Sequence, residues 1–176
     1  MTQTCYPILE MLKAVNLYSL VALGSQYVIV LEEIDGPRLI PIWIGPSEGN
    51  SIAMHLNHIQ IPRPMTHDLM INVLSTLNVK ISKVVITDLK ESTFYASIFL
   101  QQNQHVEEID ARPSDSIALA LRASCPLFVD ESVFNQCEPL LKPISKEEVD
   151  DFRKKLVDLK PEDIYKDIKQ PPDEAK

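Results

Sequence analysis

The sequence predicts an α+β protein: a duplicated three-strand, helix, helix unit whose strands form a mixed, mainly antiparallel sheet or barrel-like core, with helices outside. Three observations carry this. Six runs rich in Val, Ile, Leu, Tyr and Phe fall into two groups of three, parted by turn residues. Each group gives way to segments whose apolar residues recur at intervals of three and four. The stretch "GPSEGNSIAMHL" (45–56) also matches "RPSDSIALAL" (112–121), once two extra residues are allowed in the first. The two copies span about 13–77 and 79–137, and a duplicated unit buries its sheet against its twin.

In order along the chain, Lys13 to Ala22 and Tyr27 to Glu33 read as strands. Asp35-Gly36-Pro37 marks a turn, and 39–45 is the third strand. Helical spacing begins at Pro46 and runs over 46–59, with Ile52, Leu56 and Ile59 on one side. Thr66 to Leu77 is a second helix, with Leu69, Val73, Leu74 and Leu77 on one face. The pattern then restarts: strands over 79–89, 93–101 and 105–111, a helix over 113–124, an extended run at 126–130 and a short helix over "ESVFNQ". From Pro143 the composition shifts to dense charge of both signs. Ser145 and Glu148 have capping-box spacing, and Val149, Phe152, Leu156 and Leu159 supply a thin apolar face. This predicts a domain over 1–142 and a peripheral charged helical tail over 143–176, disordered at its end and dispensable for the core.

The net charge is −8. Up to Lys142 there are 9 basic and 15 acidic residues, giving −6, so the folded part is acidic and has no basic stripe. That argues against tight, salt-sensitive nucleic-acid binding of the usual electrostatic kind and is compatible with carboxylates that hold a divalent cation. Four glycines leave no phosphate loop, no G-x-G-x-x-G and no G-x-S-x-G. Cys5, Cys125 and Cys137 are widely spaced without a C-x-x-C pair, which favours a reducing compartment. No signal-like segment opens the chain, and the apolar stretch from Leu17 to Leu31 is too short to span a bilayer. The expectation is a cytoplasmic protein with no membrane contact. His55 and His58 sit three apart on a predicted helix, a spacing that could clamp a metal, although no third ligand lies nearby in sequence.

The chemistry-bearing residues gather at helix starts. Ser47 with Glu48, Thr66 with Asp68, and Ser114 with Asp115 are what helix capping and the helix dipole ask for. Capping explains Arg63, His67 and Arg112 less well. Arg63-Pro64 and Arg112-Pro113 set a guanidinium on a stiffened backbone just before an acid-bearing start, so bidentate structural Arg–Asp pairs are a second explanation. The third is a working site, in which helix starts from the two halves converge. Arg63, Arg112 and free N–H groups then bind a phosphate. Glu48, Asp68, Asp110 and Asp115 hold a metal or position water, and His67 carries a proton.

Taken together, "LIPIWIGPSEGNSIA", "PRPMTHDLM", "TFYASI" and "IDARPSDSIALALR" resemble the bifunctional nuclease domain family over roughly Ala14 to Val133. The motif carried over position by position is Glu48, Arg63, Thr66, His67, Asp68, Asp110, Arg112, Ser114, Asp115 and Arg122. The resemblance implies a nuclease that acts on DNA and RNA. Joined to the reading of the residues themselves, the expectation is a divalent-metal-dependent enzyme of low sequence preference, with His67, Asp68 and Asp115 as catalytic candidates and Arg63, Thr66, Arg112, Ser114 and Arg122 on the substrate phosphate. Glu48, Asp68, Asp110 and Asp115 are the candidates to hold Mg2+ or Mn2+, and no organic cofactor is expected. Two other readings stand beside it: a non-catalytic, homo-oligomeric interaction domain and a regulatory domain that binds a small anion. A homodimer or higher homo-oligomer is expected, because strand edges such as Tyr27 to Glu33 carry little protection against pairing.

Overall fold

The structure is a computed structural model that describes residues 11–138, 140–143, 151–152 and 154–157. Eight strands form one sheet: β1 (Leu12–Leu23), β2 (Gln26–Glu33), β3 (Arg38–Ile44), β4 (Lys80–Lys90), β5 (Thr93–Gln102), β6 (His105–Ala111), β7 (Leu127–Asp130) and β8 (Leu140–Leu141). Four helices interleave with them: α1 (Pro46–Leu56), α2 (Thr66–Thr76), α3 (Pro113–Ala123) and α4 (Glu131–Gln136). The sheet order is β6-β5-β4-β7-β1-β2-β3-β8. The two antiparallel meanders of the duplication therefore flank β7, which runs parallel to β4 and antiparallel to β1. That is the mixed, mainly antiparallel α+β architecture expected, but the sheet is open and no barrel closes. Closure would need a full ladder between the ends, and β8 offers two residues while β6 presents exposed Glu107, Glu108 and Asp110.

Why these segments form these elements follows from their burial. Val28, Ile29, Val30 and Leu31 of β2 are all fully buried, alternating between the two faces of the sheet. Ile29 and Leu31 join Ile40, Ile42, Ile52, Val84, Ile86, Ile117 and Leu119 in the main core beneath the helices. Val28 and Val30 join Leu39 on the reverse face. β2 is thus an interior strand between β1 and β3, which removes the exposed edge that Tyr27 to Glu33 seemed to offer. Within the tail, residues 151–152 and 154–157 are helical. Leu156, 2% exposed, and Phe152 cover the reverse-face cluster. The Ser145–Glu148 pair, Val149, Leu159 and the end of the chain lie outside the described residues. In β1 the register slips between Leu17 and Ser19, so Tyr18 is the extra residue of a bulge, and its ring meets Phe152 edge-on at 6.3 Å.

The helices α1, α2 and α3 stop where the backbone turns left-handed, at His58, Asn78 and Ser124. His58 has φ 52, with its N–H on the His55 carbonyl and the Ile59 N–H on Met54. This is the pattern that closes orphan carbonyls at a helix end. α1 therefore ends three residues before the expected 59, and His58 does not share a helix face with His55. Asn78, with φ 55, ends α2 in the same manner. Among the described residues, no helix is long and apolar enough to cross a membrane.

Candidate functional site

Glu48, Asp68 and Asp115 all occupy the third position of their helices, behind Gly45, Met65 and Arg112 at the N-caps. None of the Ser or Thr residues expected to cap does so: Thr66, Ser47 and Ser114 lie inside the first turn. The acids instead face the positive ends of their own helix dipoles. α3 packs against both α1 and α2, and this contact brings the three acids into one hydrogen-bonded chain.

That chain runs Glu48–Arg112–Asp115–His67–Ser51–Arg122–Asp68. Arg112 donates through Nε to Asp115 Oδ2 at 2.7 Å and through Nη2 to Glu48 Oε1 at 3.2 Å. His67 Nε2 lies 3.1 Å from Asp115 Oδ1, and His67 Nδ1 lies 3.0 Å from Ser51 Oγ. Arg122 donates through Nη2 to Ser51 Oγ and the Ser51 carbonyl, both at 3.1 Å, through Nη1 to the Ala118 carbonyl, and through Nε to Asp68 Oδ1 at 2.6 Å. The second oxygen of Asp68 accepts the Met65 N–H at 3.0 Å. A carboxylate only accepts, so His67 Nε2 carries the proton toward Asp115, and in the neutral ring Nδ1 accepts the Ser51 hydroxyl.

The charges respond accordingly. Burial pushes the Asp115 carboxyl up, but donation from Arg112 and His67 outweighs it and holds the group below its ordinary value. The bond from Arg122 holds Asp68 low against the opposing effect of burial. The bond to Asp115 holds the Arg112 guanidinium above its ordinary value.

The network has a wet end and a dry end. The Arg112 side chain is 67% exposed and that of Arg122 only 5%. Arg112 forms part of the wall of an open cleft of about 440 Å³, with Gly45, Glu48, Thr93, Phe94 and Ser114 around it. Here the starts of α1 and α3 meet. Ser114 is 6% exposed.

The expected site residues therefore divide. Glu48, His67, Asp68, Arg112, Asp115 and Arg122 are joined in one network. Ser114 lines the cleft beside them. Thr66 and Arg63 are exposed near the start of α2, and Arg63 has no ion pair among the described residues. Asp110 is exposed on the edge strand β6, opposite Ser97, and is not part of the network. Arg122, expected on the substrate phosphate, is only 5% exposed and makes four hydrogen bonds to protein acceptors, so here it ties α3 to α1 and α2. Asp68 spends both oxygens in the same way. Among the described residues no three His, Cys, Asp or Glu side chains sit close enough to hold a metal. Ser51 was missed. The duplication held its only signal, since Ser51-Ile52-Ala53 repeats as Ser116-Ile117-Ala118. Ser116 Oγ is buried without a partner among the described residues, so the two copies put the same serine to different use.

An open mixed sheet with three helix starts meeting in a charged cluster beside a cleft defines an α+β protein whose polar chemistry is carried by side chains rather than by a glycine-rich loop. The chain belongs to the bifunctional nuclease domain family, whose pattern matches residues 29–141 and so takes in the whole network. It is 37% identical over 149 residues to an uncharacterized protein of Mycobacterium tuberculosis, covering 80% of this chain and 89% of that one. It is 26% identical over 129 residues to Bifunctional nuclease 1 of rice (Oryza sativa subsp. japonica), covering 70% of this chain and 39% of the plant protein. Bifunctional nuclease 1 of Arabidopsis thaliana is also 26% identical, over 107 residues, covering 58% of this chain and 33% of that protein.

Proposed function

We propose that the protein hydrolyses phosphodiester bonds in DNA and RNA with low sequence preference, at the cleft bounded by Arg112. The observation that carries this is an exposed guanidinium held between two carboxylates, one of them backed by a histidine, where helix starts converge. Such hydrolysis needs a positive group on the phosphate, a carrier for the proton of the attacking water or leaving oxygen, and stabilisation of the charge that develops. Arg112 meets the first need, together with the Ser114 hydroxyl and the free N–H groups at the starts of α1 and α3. Arg63 and Thr66, exposed near the start of α2, are further candidates for the substrate phosphate. His67 is the proton carrier once its ring releases Ser51 or Asp115, the partners that its two nitrogens now hold. Asp68, Arg122 and Ser51 keep α2 and His67 in place.

Mg2+ or Mn2+ would have to be held by Glu48 and Asp115, the two carboxylates that now bond Arg112, and Arg112 would have to give up those bonds to let the ion in. Such ions are commonly held by one or two carboxylates, with water and substrate phosphate in the remaining positions. Glu48 and Asp115 are the pair available, and Asp110 is the nearest further acid in sequence. The ion would supply Lewis acidity and offset the negative charge of the folded part, which otherwise repels the substrate.

The test is cleavage of single-stranded RNA and DNA by the purified protein, with magnesium, with manganese and with chelator. His67→Ala should lower the rate about 100-fold or more. Arg112→Gln should raise KM for the oligonucleotide while the melting temperature stays close to that of wild type. Absence of cleavage with every metal, or cleavage indifferent to both changes, overturns the proposal. Stabilisation by inorganic phosphate without any cleavage would leave the anion-binding reading in its place.

A further inference from the structure

We propose that Glu48 makes the cleft selective for monoanionic phosphodiesters over dianionic phosphomonoesters, by competing with the incoming phosphate for Arg112. This rests on the reading of the cleft as a phosphodiester site and names the kind of phosphate it admits. The starting observation is that the Arg112 guanidinium already has two anionic partners. Its Nε donates to Asp115 at 2.7 Å and its Nη2 to Glu48 at 3.2 Å, and Nη1 enters neither bond. The two bonds differ in more than length. Asp115 lies three residues from Arg112 at the start of the same helix, and His67 lies against it as well. Glu48 reaches Arg112 from α1, 64 residues away in the chain. Its carboxylate is folded back on Gly45, one of the chain's four glycines, where a Cβ would stand 2.6 Å from Glu48 Oε2. The duplication aligns Gly45 with Arg112. A bare backbone at one helix start thus makes room for the acid that the side chain at the other start contacts.

The longer bond is the one a phosphate replaces. With Glu48 released, Nη1 and Nη2 form a fork that suits two phosphate oxygens, while Nε stays on Asp115 and fixes the plane of the guanidinium. The Arg112 side chain is mostly exposed and that of Glu48 mostly buried, so the arginine is open to a ligand while the acid stays in the wall. Both line the cleft, and Glu48 keeps its charge beside the phosphate that displaced it. Repulsion grows with the product of the charges. A diester carries one negative charge and a fully ionised monoester two, so the same carboxylate opposes the monoester about twice as strongly. A nucleic-acid strand offers diesters along its length and monoesters only at its ends. Glu48 therefore favours internal bonds. Hydrolysis turns a diester into a monoester, so the same repulsion helps the product leave.

The experiment is an NMR titration of the full chain, in chelator and mildly alkaline buffer, with dimethyl phosphate as the diester and methyl phosphate as the monoester. Wild type should bind dimethyl phosphate more tightly than methyl phosphate. Glu48→Gln keeps the shape of the side chain and removes its charge. It should tighten methyl phosphate about tenfold and dimethyl phosphate about threefold, and both gains should shrink at high salt. Glu48→Ala should move the preference in the same direction, and Arg112→Gln should abolish binding of both esters. A Glu48 that only ties α1 to α3 would lower the melting temperature in its variants and leave the ratio of the two affinities unchanged. That result overturns the proposal, as does a wild type that prefers methyl phosphate or binds neither ester. If such a wild type still cleaves oligonucleotides, only the role of Glu48 falls and the phosphodiester reading stands. Ester binding that survives Arg112→Gln overturns both.

Discussion

Arg122 shows most clearly what one side chain does for this protein. It joins α3, its own helix, to α2 through Asp68 and to α1 through Ser51. Removing it strands a carboxylate and a hydroxyl at once. Arg122→Ala should therefore destabilise by about 2–3 kcal/mol. That is below the about 3–5 kcal/mol typical of breaking a fully buried pair, because a third of the Asp68 side chain is in water. Urea unfolding measures it, and a loss under about 0.5 kcal/mol would show that the tie is idle. Much at this scale was legible in sequence: the acids, the arginines and His67 stand out because their types and spacing are odd for a plain cap. Ser51 was not legible, because a serine within a helix has no local signature. Its partners lie 16 and 71 residues away, and only folding brings them together. The division of Arg112 from Arg122 into wet and dry was equally hidden, since both belong to the same motif and differ only in burial.

Element boundaries were read well because their signals are local. Turn residues, alternation and helical spacing placed most strands and helices within a residue or two of their observed ends. β8 escaped, since two leucines make no pattern. The rotation of α2 escaped for a different reason: its strongest apolar stripe (Leu69, Val73 and Leu77, about half exposed) and its polar anchors His67 and Asp68 lie on different faces, and the anchors decide. One element carries visible strain. The two-residue turn between β4 and β5 places both Glu91 (φ 46) and Ser92 (φ 59) in the left-handed region, a conformation that favours Asn and Gly. The double change Glu91→Asn with Ser92→Gly should stabilise by about 1 kcal/mol. An unchanged or lowered midpoint in denaturant would mean that the present side chains make up the difference. Ser92 and Thr93 also border the cleft, so the same variant, assayed for oligonucleotide affinity, shows whether the turn is kept for its contacts.

For the molecule as a whole, the sheet has two faces and each needs a cover. The helices α1, α2 and α3 cover one. On the other, Leu156 closes over Val28, Val30 and Leu39. Read from sequence alone the tail is dispensable, whereas the burial of Leu156 argues for a stabilising role. Removal of residues 144–176 should lower the melting temperature by roughly 5–10 °C, and Leu156→Ala alone should cost about 2–4 kcal/mol. A truncated chain that melts with wild type would return the tail to a peripheral role.

The place of β7 governs the order in which this sheet can assemble. Each meander closes through hairpins a few residues long, and those contacts form early and fast. The seam between the meanders is made by residues 127–130, whose partner on one side is the opening strand of the chain, Leu12 with Asp130 and Val15 with Leu127. Until that late segment has emerged and docked, β1 and β4 both stand as unpaired edges, and the step that joins them spans nearly the whole folded length. Joining the halves should therefore be the slow step of folding, and the interval before it the time when a newly made chain is most exposed to wrong pairing with its neighbours.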